Sequence, residues 1–338
     1  MSFNFPPSPY DTGAVLAART PVEEDVIRLN DWIIGTLSNG PWIWKFTEPQ
    51  IREARRNGAG VFPVEPHSPH AENLTIEDTT TPVPLRLIFP SDGRKVDSAY
   101  LHIHGGGWTF GAADMQDPML QEIANACSCL CISVDYRLAP EHPYPAAQDD
   151  CEAAARWFLN EGAERYGITR FAIGGESAGA HLSLCTLLRL KARDLNHAFC
   201  GANLVCGVYD LTLTPSVRNW GEEKLVLNSD DIGQFRQRYL SGDAAKMDWY
   251  QSDISPLYGD LTHLPPCLIT AGTQDLLLDD SLFLHERLET VTSPNQLALY
   301  PGGCHVFPLF DIEMGRKALR HCEDFLKQCF DSAQSENS

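Results

Sequence analysis

Residues Phe171–Ala180 read FAIGGESAGA, and the centre of this stretch, Gly175-Glu176-Ser177-Ala178-Gly179, sets one serine among small residues. A short apolar run precedes it and a helix-like pattern, HLSLCTLLRLKA, follows. A strand that turns sharply into a helix needs small residues on both sides of the turn, because a side chain there would clash. Such a turn lifts a serine hydroxyl clear of the sheet. The three fixed positions alone arise too easily by chance to decide the reading. The strand before and the helix after carry it.

Working outward, the period from about Leu74 is that of strands: LTIED, then VPLRLIFP, joined as a hairpin by Thr- and Pro-containing sequence, then Ala99–Ile103. Strands and helices then alternate. A helix near Met115–Ala126, a strand at Leu130–Asp135 and a helix near Ala146–Asn160 lead to the strand Phe171–Gly174 and the helix after Ser177. Further strands are expected at Asn203–Val208, Pro266–Ala271 and Gln296–Tyr300. A helix near Gly315–Phe330 follows, before a polar tail, DSAQSENS, expected to fray. The alternation predicts an α/β protein with a mostly parallel eight-stranded sheet, helices on both faces, and two antiparallel strands at its start.

Two regions fall outside that rhythm. In residues 1–60, Pro21 precedes VEEDVIRLNDWIIGTL, where Leu29, Trp32 and Ile33 share a helix face, and Trp42, Trp44 and Phe46 follow. These aromatics form either a helix packed on the main body or part of a lid. The connection between the sixth and seventh strands, with Trp220, the polar stretch 228–238 and Trp249-Tyr250, is longer than a crossover needs and reads as an inserted helical segment.

Composition narrows the classes of function. Lys and Arg total 26 against 45 Asp and Glu, a formal charge of −19 over 338 residues, which argues against nucleic acid or an anionic membrane and favours neutral or cationic small molecules. No apolar run approaches the roughly 18–20 residues of a membrane span. MSFNFPPSPYDTG has neither a basic leader nor an apolar core, so a cytoplasmic location is expected. The eleven cysteines, Cys127, Cys129 and Cys131 among them, read as free thiols that behave as small buried hydrophobes.

A serine hydroxyl is a poor nucleophile unless a base takes its proton and an acid orients that base. His181, His285 and His321 fall on expected helices, and His197 and His263 precede strands. His305 alone follows the last strand, after the Gly-rich loop Pro301-Gly302-Gly303-Cys304. Catalytic groups of open α/β sheets lie beyond the carboxyl ends of strands, which selects His305 and, after the seventh strand, Asp275. Asp279 and Asp280 open the next helix, and Asp311 comes after the histidine. His104-Gly105-Gly106-Gly107, just beyond the third strand, exposes backbone N–H groups suited to a developing oxyanion, and Ala178 supplies another. His102 and His104 share a strand face, but no third ligand stands at a recognisable spacing, so no metal is expected. His104 is assigned instead to fixing the loop through hydrogen bonds.

Adding Asp135–Ala147, DYRLAPEHPYPAA, to His104–Gly107, Gly175–Gly179, Asp275 and His305, the chain resembles the hormone-sensitive-lipase-like family (bacterial family IV) of serine carboxylesterases, of α/β-hydrolase fold. The resemblance implies Ser177 as nucleophile, His305 as base and Asp275 as orienting acid, with oxyanion donors from Gly106, Gly107 and Ala178. It also implies a helical cap, built from residues 1–60 and an insertion at about 209–256, over a catalytic domain of 61–338. Glu176 stands where the family carries an acidic residue, often aspartate, and is expected with His104 and Gly105 to support neighbouring loops. Trp108 and Tyr209 are candidate pocket walls. The implied reaction is hydrolysis of short- to medium-chain acyl esters through an acyl-enzyme, with no cofactor and with pairing of two copies through the last strand and its neighbouring helix. An amidase or formamidase using the same triad is the nearer alternative. A non-catalytic receptor on this scaffold is the further one, and the plant gibberellin receptors of that kind lack the histidine that His305 supplies.

Overall fold

A computed structural model describes residues 3–64, 66–77 and 81–336. The strands are β1 (Ala71–Ile76), β2 (Val83–Ile88), β3 (Ser98–Ile103), β4 (Leu130–Val134), β5 (Arg170–Glu176), β6 (Phe199–Val205), β7 (Cys267–Gln274) and β8 (Asn295–Cys304). They form one sheet in the order β1-β2-β4-β3-β5-β6-β7-β8. β2 pairs antiparallel with both β1 and β4, and the pairs from β4 to β8 are parallel. The expected hairpin is therefore present, although residues 78–80 of its connection lie outside the described residues. Parallel strands demand crossovers, and the helices supply them.

In chain order these helices are α1 (Thr12–Leu16), α2 (Glu24–Ser38), α3 (Glu48–Arg56), α4 (Asp117–Cys127), α5 (Ala146–Trp157), α6 (Ala163–Tyr166), α7 (Ala178–Lys191), α8 (Pro215–Trp220), α9 (Ser229–Tyr239), α10 (Leu278–Thr290) and α11 (Glu313–Glu336). Side chains alternate across a strand, so each strand feeds two cores. Leu101, Ile103, Ile132 and Val134 join α5 and α7 in one. Tyr100, Cys129 and Cys131 join α4 and α11 in the other. All six residues of β3 and all five of β4 are buried, as expected of strands covered on both faces.

Four elements in particular, β6, β7, β8 and α11, have bounds that differ from the sequence expectation. β6 begins at Phe199 and ends at Val205, earlier than 203–208, because Gly201 lets Cys329 of α11 pack onto the strand: a Cβ there would lie 2.3 Å from its sulfur. β7 and β8 run longer than expected, and Pro301–Cys304 is strand rather than loop. A Cβ on Gly272 would lie 2.0 Å from the Gly303 carbonyl oxygen, so glycines let β7 and β8 stay close to their ends. The helical backbone of α11 continues through Glu336 instead of fraying after Phe330, with residues 337–338 outside the described range.

The N-terminal segment divides between two tasks. Its first part lies along the outer edge of β8. Thr12 Oγ1 donates to the Leu297 carbonyl (3.0 Å), and Asn30 Nδ2 donates to the carbonyl of Gly302 (2.9 Å) and to Gln274 Oε1 (3.0 Å). Lys317 of α11 pairs with Glu23 at 2.6 Å. Its second part meets the inserted segment. Trp44 Nε1 donates to Asp231 Oδ1 (2.7 Å), Arg238 pairs with Glu48 (2.6 Å), and the Trp44 and Phe235 rings meet edge to face at 4.9 Å. At the start of α9, Asn228 Oδ1 accepts from the Asp231 N–H, while Asp231 Oδ2 accepts in return from the Asn228 N–H.

Candidate active site

Ser177 sits at the β5–α7 junction with φ 56° and ψ −120°, a conformation that a residue with a side chain adopts only when its surroundings enforce it. The enforcement is visible. Ser177 N–H donates to Val205 O (2.8 Å), and its own carbonyl accepts from His181 N–H (3.1 Å). β3 passes directly beneath: a Cβ on Gly175 or Gly179 would lie 2.0 or 1.9 Å from the Ile103 carbonyl oxygen.

The hydroxyl so raised meets the groups at the ends of β7 and β8. His305 Nε2 lies 2.9 Å from Ser177 Oγ, and His305 Nδ1 lies 3.1 and 3.0 Å from the two carboxylate oxygens of Asp275. Asp275 Oδ1 also accepts from the Leu277 N–H at 2.9 Å. All three residues are buried. Asp280, set aside as part of the next helix, does other work: it accepts from the N–H groups of Tyr209 (2.7 Å) and Asp210 (2.9 Å) and from Thr214 Oγ1 (2.7 Å), fastening the chain that follows β6. Cys206, which sequence patterning did not single out, brings its sulfur within 4.8 Å of the Asp275 and His305 ligand atoms. Burial pushes its thiol, and that of Cys304 (to about 12), up, so both are protonated and inert at neutral pH.

The glycine loop follows β3. Gly106 and Gly107 have φ 113° and 61°, and the turn closes when Phe110 N–H donates to the Gly106 carbonyl at 2.8 Å. Among the described residues no acceptor takes the N–H of Gly106, Gly107 or Ala178. Three donors beside Ser177 thus stay free for a ligand.

Glu176 fixes this loop from below. Its Oε1 accepts from Gly105 N–H (2.6 Å) and Gln116 Nε2 (2.7 Å), and its Oε2 lies 3.0 Å from His102 Nε2, whose Nδ1 reaches Ser133 Oγ at 3.1 Å. Burial alone would raise this carboxyl. His102 and the hydrogen bonds from Gly105 and Gln116 outweigh burial and hold it below the usual range. Its contribution to stability is therefore present at neutral pH and is lost as pH falls through that lowered value. His102 is thus engaged with Glu176, while His104 Nδ1 meets the Gly105 carbonyl (2.8 Å) and its ring stacks on Tyr136 at 4.2 Å. Replacing Glu176 by glutamine is expected to lower kcat about tenfold with little change in KM, because it loosens the loop that carries the free N–H donors. Steady-state kinetics check this: an equal rise in KM with kcat intact would contradict a positioning role.

The segment 135–147 buttresses the same loop. Tyr136 Oη donates to His104 O (2.9 Å), Ala139 N–H donates to Trp108 O (2.8 Å), and Arg137 pairs with Asp150 at 2.7 Å. Arg52 of α3 spans both, giving Nε to Thr109 O (2.8 Å) and two nitrogens to Glu141 (2.8 Å each).

A cavity of about 1420 Å³ opens onto Ser177, Ala178, His305 and the glycines. Its remaining wall is largely apolar and draws on both irregular regions, with Trp44 and Ile51 from one and Phe235 from the other, and on the main body, with Met119 and Leu309. Trp108 lines it. Trp108 stacks on Tyr239 at 4.3 Å and donates to His181 Nδ1 at 3.2 Å; burial lowers His181 to about 4, leaving a neutral ring able to accept. Tyr209 does not line it. That ring is turned into the core against Gly207, and its neighbours Val208 and Leu211 face the cavity.

The likenesses to known proteins agree with this geometry. A family model described as the alpha/beta hydrolase fold matches residues 100–309. The chain is 33% identical over 242 residues to the carboxylesterase NlhH of Mycobacterium tuberculosis, covering 69% of this chain and 73% of that protein. Among solved structures it is similar to an esterase of Pyrobaculum calidifontis, with a TM-score of 0.78, 26% identity, and coverage of 91% of this chain and 98% of that one. A structure described as an arylesterase gives a TM-score of 0.78 at 26% identity, covering 92% of this chain and 100% of its own. Among the described residues no helix is long and apolar enough to cross a membrane.

Proposed function

From the premise that this chain belongs to the hormone-sensitive-lipase-like family of α/β-hydrolases and is a serine carboxylesterase, we propose that it hydrolyses short- to medium-chain acyl esters through a Ser177-His305-Asp275 triad and an acyl-enzyme. The observation that carries the triad is His305 bridging Ser177 Oγ at 2.9 Å and Asp275 at 3.0 Å. Ser177 Oγ attacks the ester carbonyl while His305 Nε2 takes its proton. Asp275 holds Nδ1–H, fixing the tautomer and stabilising the imidazolium that forms. The oxyanion accepts from the N–H groups of Gly106, Gly107 and Ala178, which need no reorganisation to receive it. His305 then returns the proton to the leaving alkoxide, and water repeats the sequence on the acyl-enzyme.

Residues 1–60 and 209–256 act in this reading as a two-part cap that bounds the substrate. Supporting it are the Trp44–Asp231 and Glu48–Arg238 contacts and the shared cavity wall. The test is a graded series of p-nitrophenyl esters from acetate to laurate with matched anilides. kcat/KM is expected to peak among the short and medium acyl chains, with anilides slower at every length. An optimum at the longest chain, or anilides faster than esters, would overturn the substrate assignment.

A further inference from the structure

Most charges on the cavity wall are answered within the protein. Asp231 pairs with Lys224 (3.0 Å), Asp311 pairs with Arg316, and Arg236 donates to the Leu211 carbonyl (3.1 Å) and lies over Trp249. Glu53 and Glu122 are exposed to water.

Arg55, in the last turn of α3, is different. It is half-buried, and its guanidinium carbon lies 5.1 Å from the centre of the Phe62 ring and 5.3 Å from that of Phe110. Among the described residues no carbonyl, carboxylate or hydroxyl accepts from its N–H groups. Burial lowers it to about 10, which still leaves it charged at neutral pH. The C-terminal end of α3 favours a cation, and none of the Arg55 nitrogens is sealed within the protein, so its donors face the cavity and are available to a ligand there.

The rings beneath this cation are themselves fixed. Phe62 stacks on Phe310 and Phe110 on Trp44, each at 5.5 Å. Phe110 also closes the turn of the glycine loop. A planar fork of donors, held on aromatic faces beside the loop that faces Ser177, matches a carboxylate in shape and charge. Little ordering entropy is left to lose when one binds.

We infer that Arg55 recognises a carboxylate carried by the ester substrate, on its acyl or its alcohol side; the inference rests on the ester-hydrolase reading above. It reverses at the site what the chain's overall charge of −19 suggests, since charges beyond about 10 Å are screened by salt whereas a direct contact is not. The preference belongs in KM rather than in kcat.

Two matched pairs of esters test it: the p-nitrophenyl half-ester of adipic acid against its neutral methyl ester, and 4-carboxyphenyl butyrate against 4-(methoxycarbonyl)phenyl butyrate. In one arm the charged member is expected to have a KM about 10- to 100-fold lower. The arm that responds identifies the acyl or the alcohol side. Arg55→Gln is expected to erase the difference and Arg55→Lys to retain part of it. Equal KM values within both pairs for the unmodified protein, or a preference that survives Arg55→Gln, would overturn the inference, and the first of these needs no variant to fold. Calorimetric titration of adipate into Ser177→Ala, with and without Arg55→Gln, separates the two readings. Adipate binding that depends on Arg55 in a protein hydrolysing no ester would overturn the ester-hydrolase reading and keep the subsite. Equal adipate affinity in both proteins would overturn the subsite and leave hydrolysis standing.

Discussion

Replacing Ser177 by alanine is expected to leave a folded protein whose turnover of p-nitrophenyl butyrate has fallen on the order of 10⁵-fold. The size follows from what is removed. Without Oγ there is no atom for His305 to deprotonate, and the residual rate over water comes only from binding and the free N–H donors. The fold should survive because alanine, like serine, carries a Cβ at φ 56°, so the strain at the turn is unchanged, and the lost contact to His305 is the outermost of a chain that Asp275 still anchors. Melting temperature and rate together check this. A folded variant with near-normal turnover would remove Ser177 from the mechanism.

Gly179→Ala tests the elbow from the other direction. The added Cβ would lie 1.9 Å from the Ile103 carbonyl oxygen and 2.7 Å from its carbon, both main-chain atoms of a strand buried on its two faces. No flexible side chain can yield there. Either α7 lifts away from β3 or β3 leaves its register, and the destabilisation is expected at about 3 kcal/mol or more. Activity falls with it, since a shift near 1 Å at Ser177 is enough to lose about 10²-fold. Urea unfolding of the purified variant measures the first effect and esterase rate the second. Wild-type stability with wild-type rate would mean that the close approach of β3 to α7 does not exist in solution.

That Ser177, Asp275 and His305 meet is legible in the sequence because each belongs to a local pattern, a strand end followed by a turn, and the parallel sheet brings such ends to one edge. Partners that meet across the fold leave no such period. Glu176 stood out as an acidic residue beside the serine, yet nothing in the spacing tied it to Gln116 or to His102, and His102 read only as half of an incomplete ligand pair. The glycines of β8 read as a loop because glycine is depleted in strands, whereas Gly272 and Gly303 are needed where two strands approach closely. The position of Tyr209 after a strand fixes where the backbone goes but not which side of it the ring takes. Arg55 has no signal at all, since what marks it is the lack of a partner among the described residues, which no local pattern reports.

α2 carries a consequence for how such enzymes can be rearranged. Asn30 in its middle is tied to Gln274 and Gly302, one residue before Asp275 and three before His305, while Trp32, Thr36 and Leu37 in its second half line the cavity. The part that lines the cavity and the part that braces the ends of β7 and β8 belong to one helix. This helix is therefore not a detachable module. Exchanging it for a relative's to broaden access would also rewrite the bracing of Asp275 and His305, and the two traits are inherited as one.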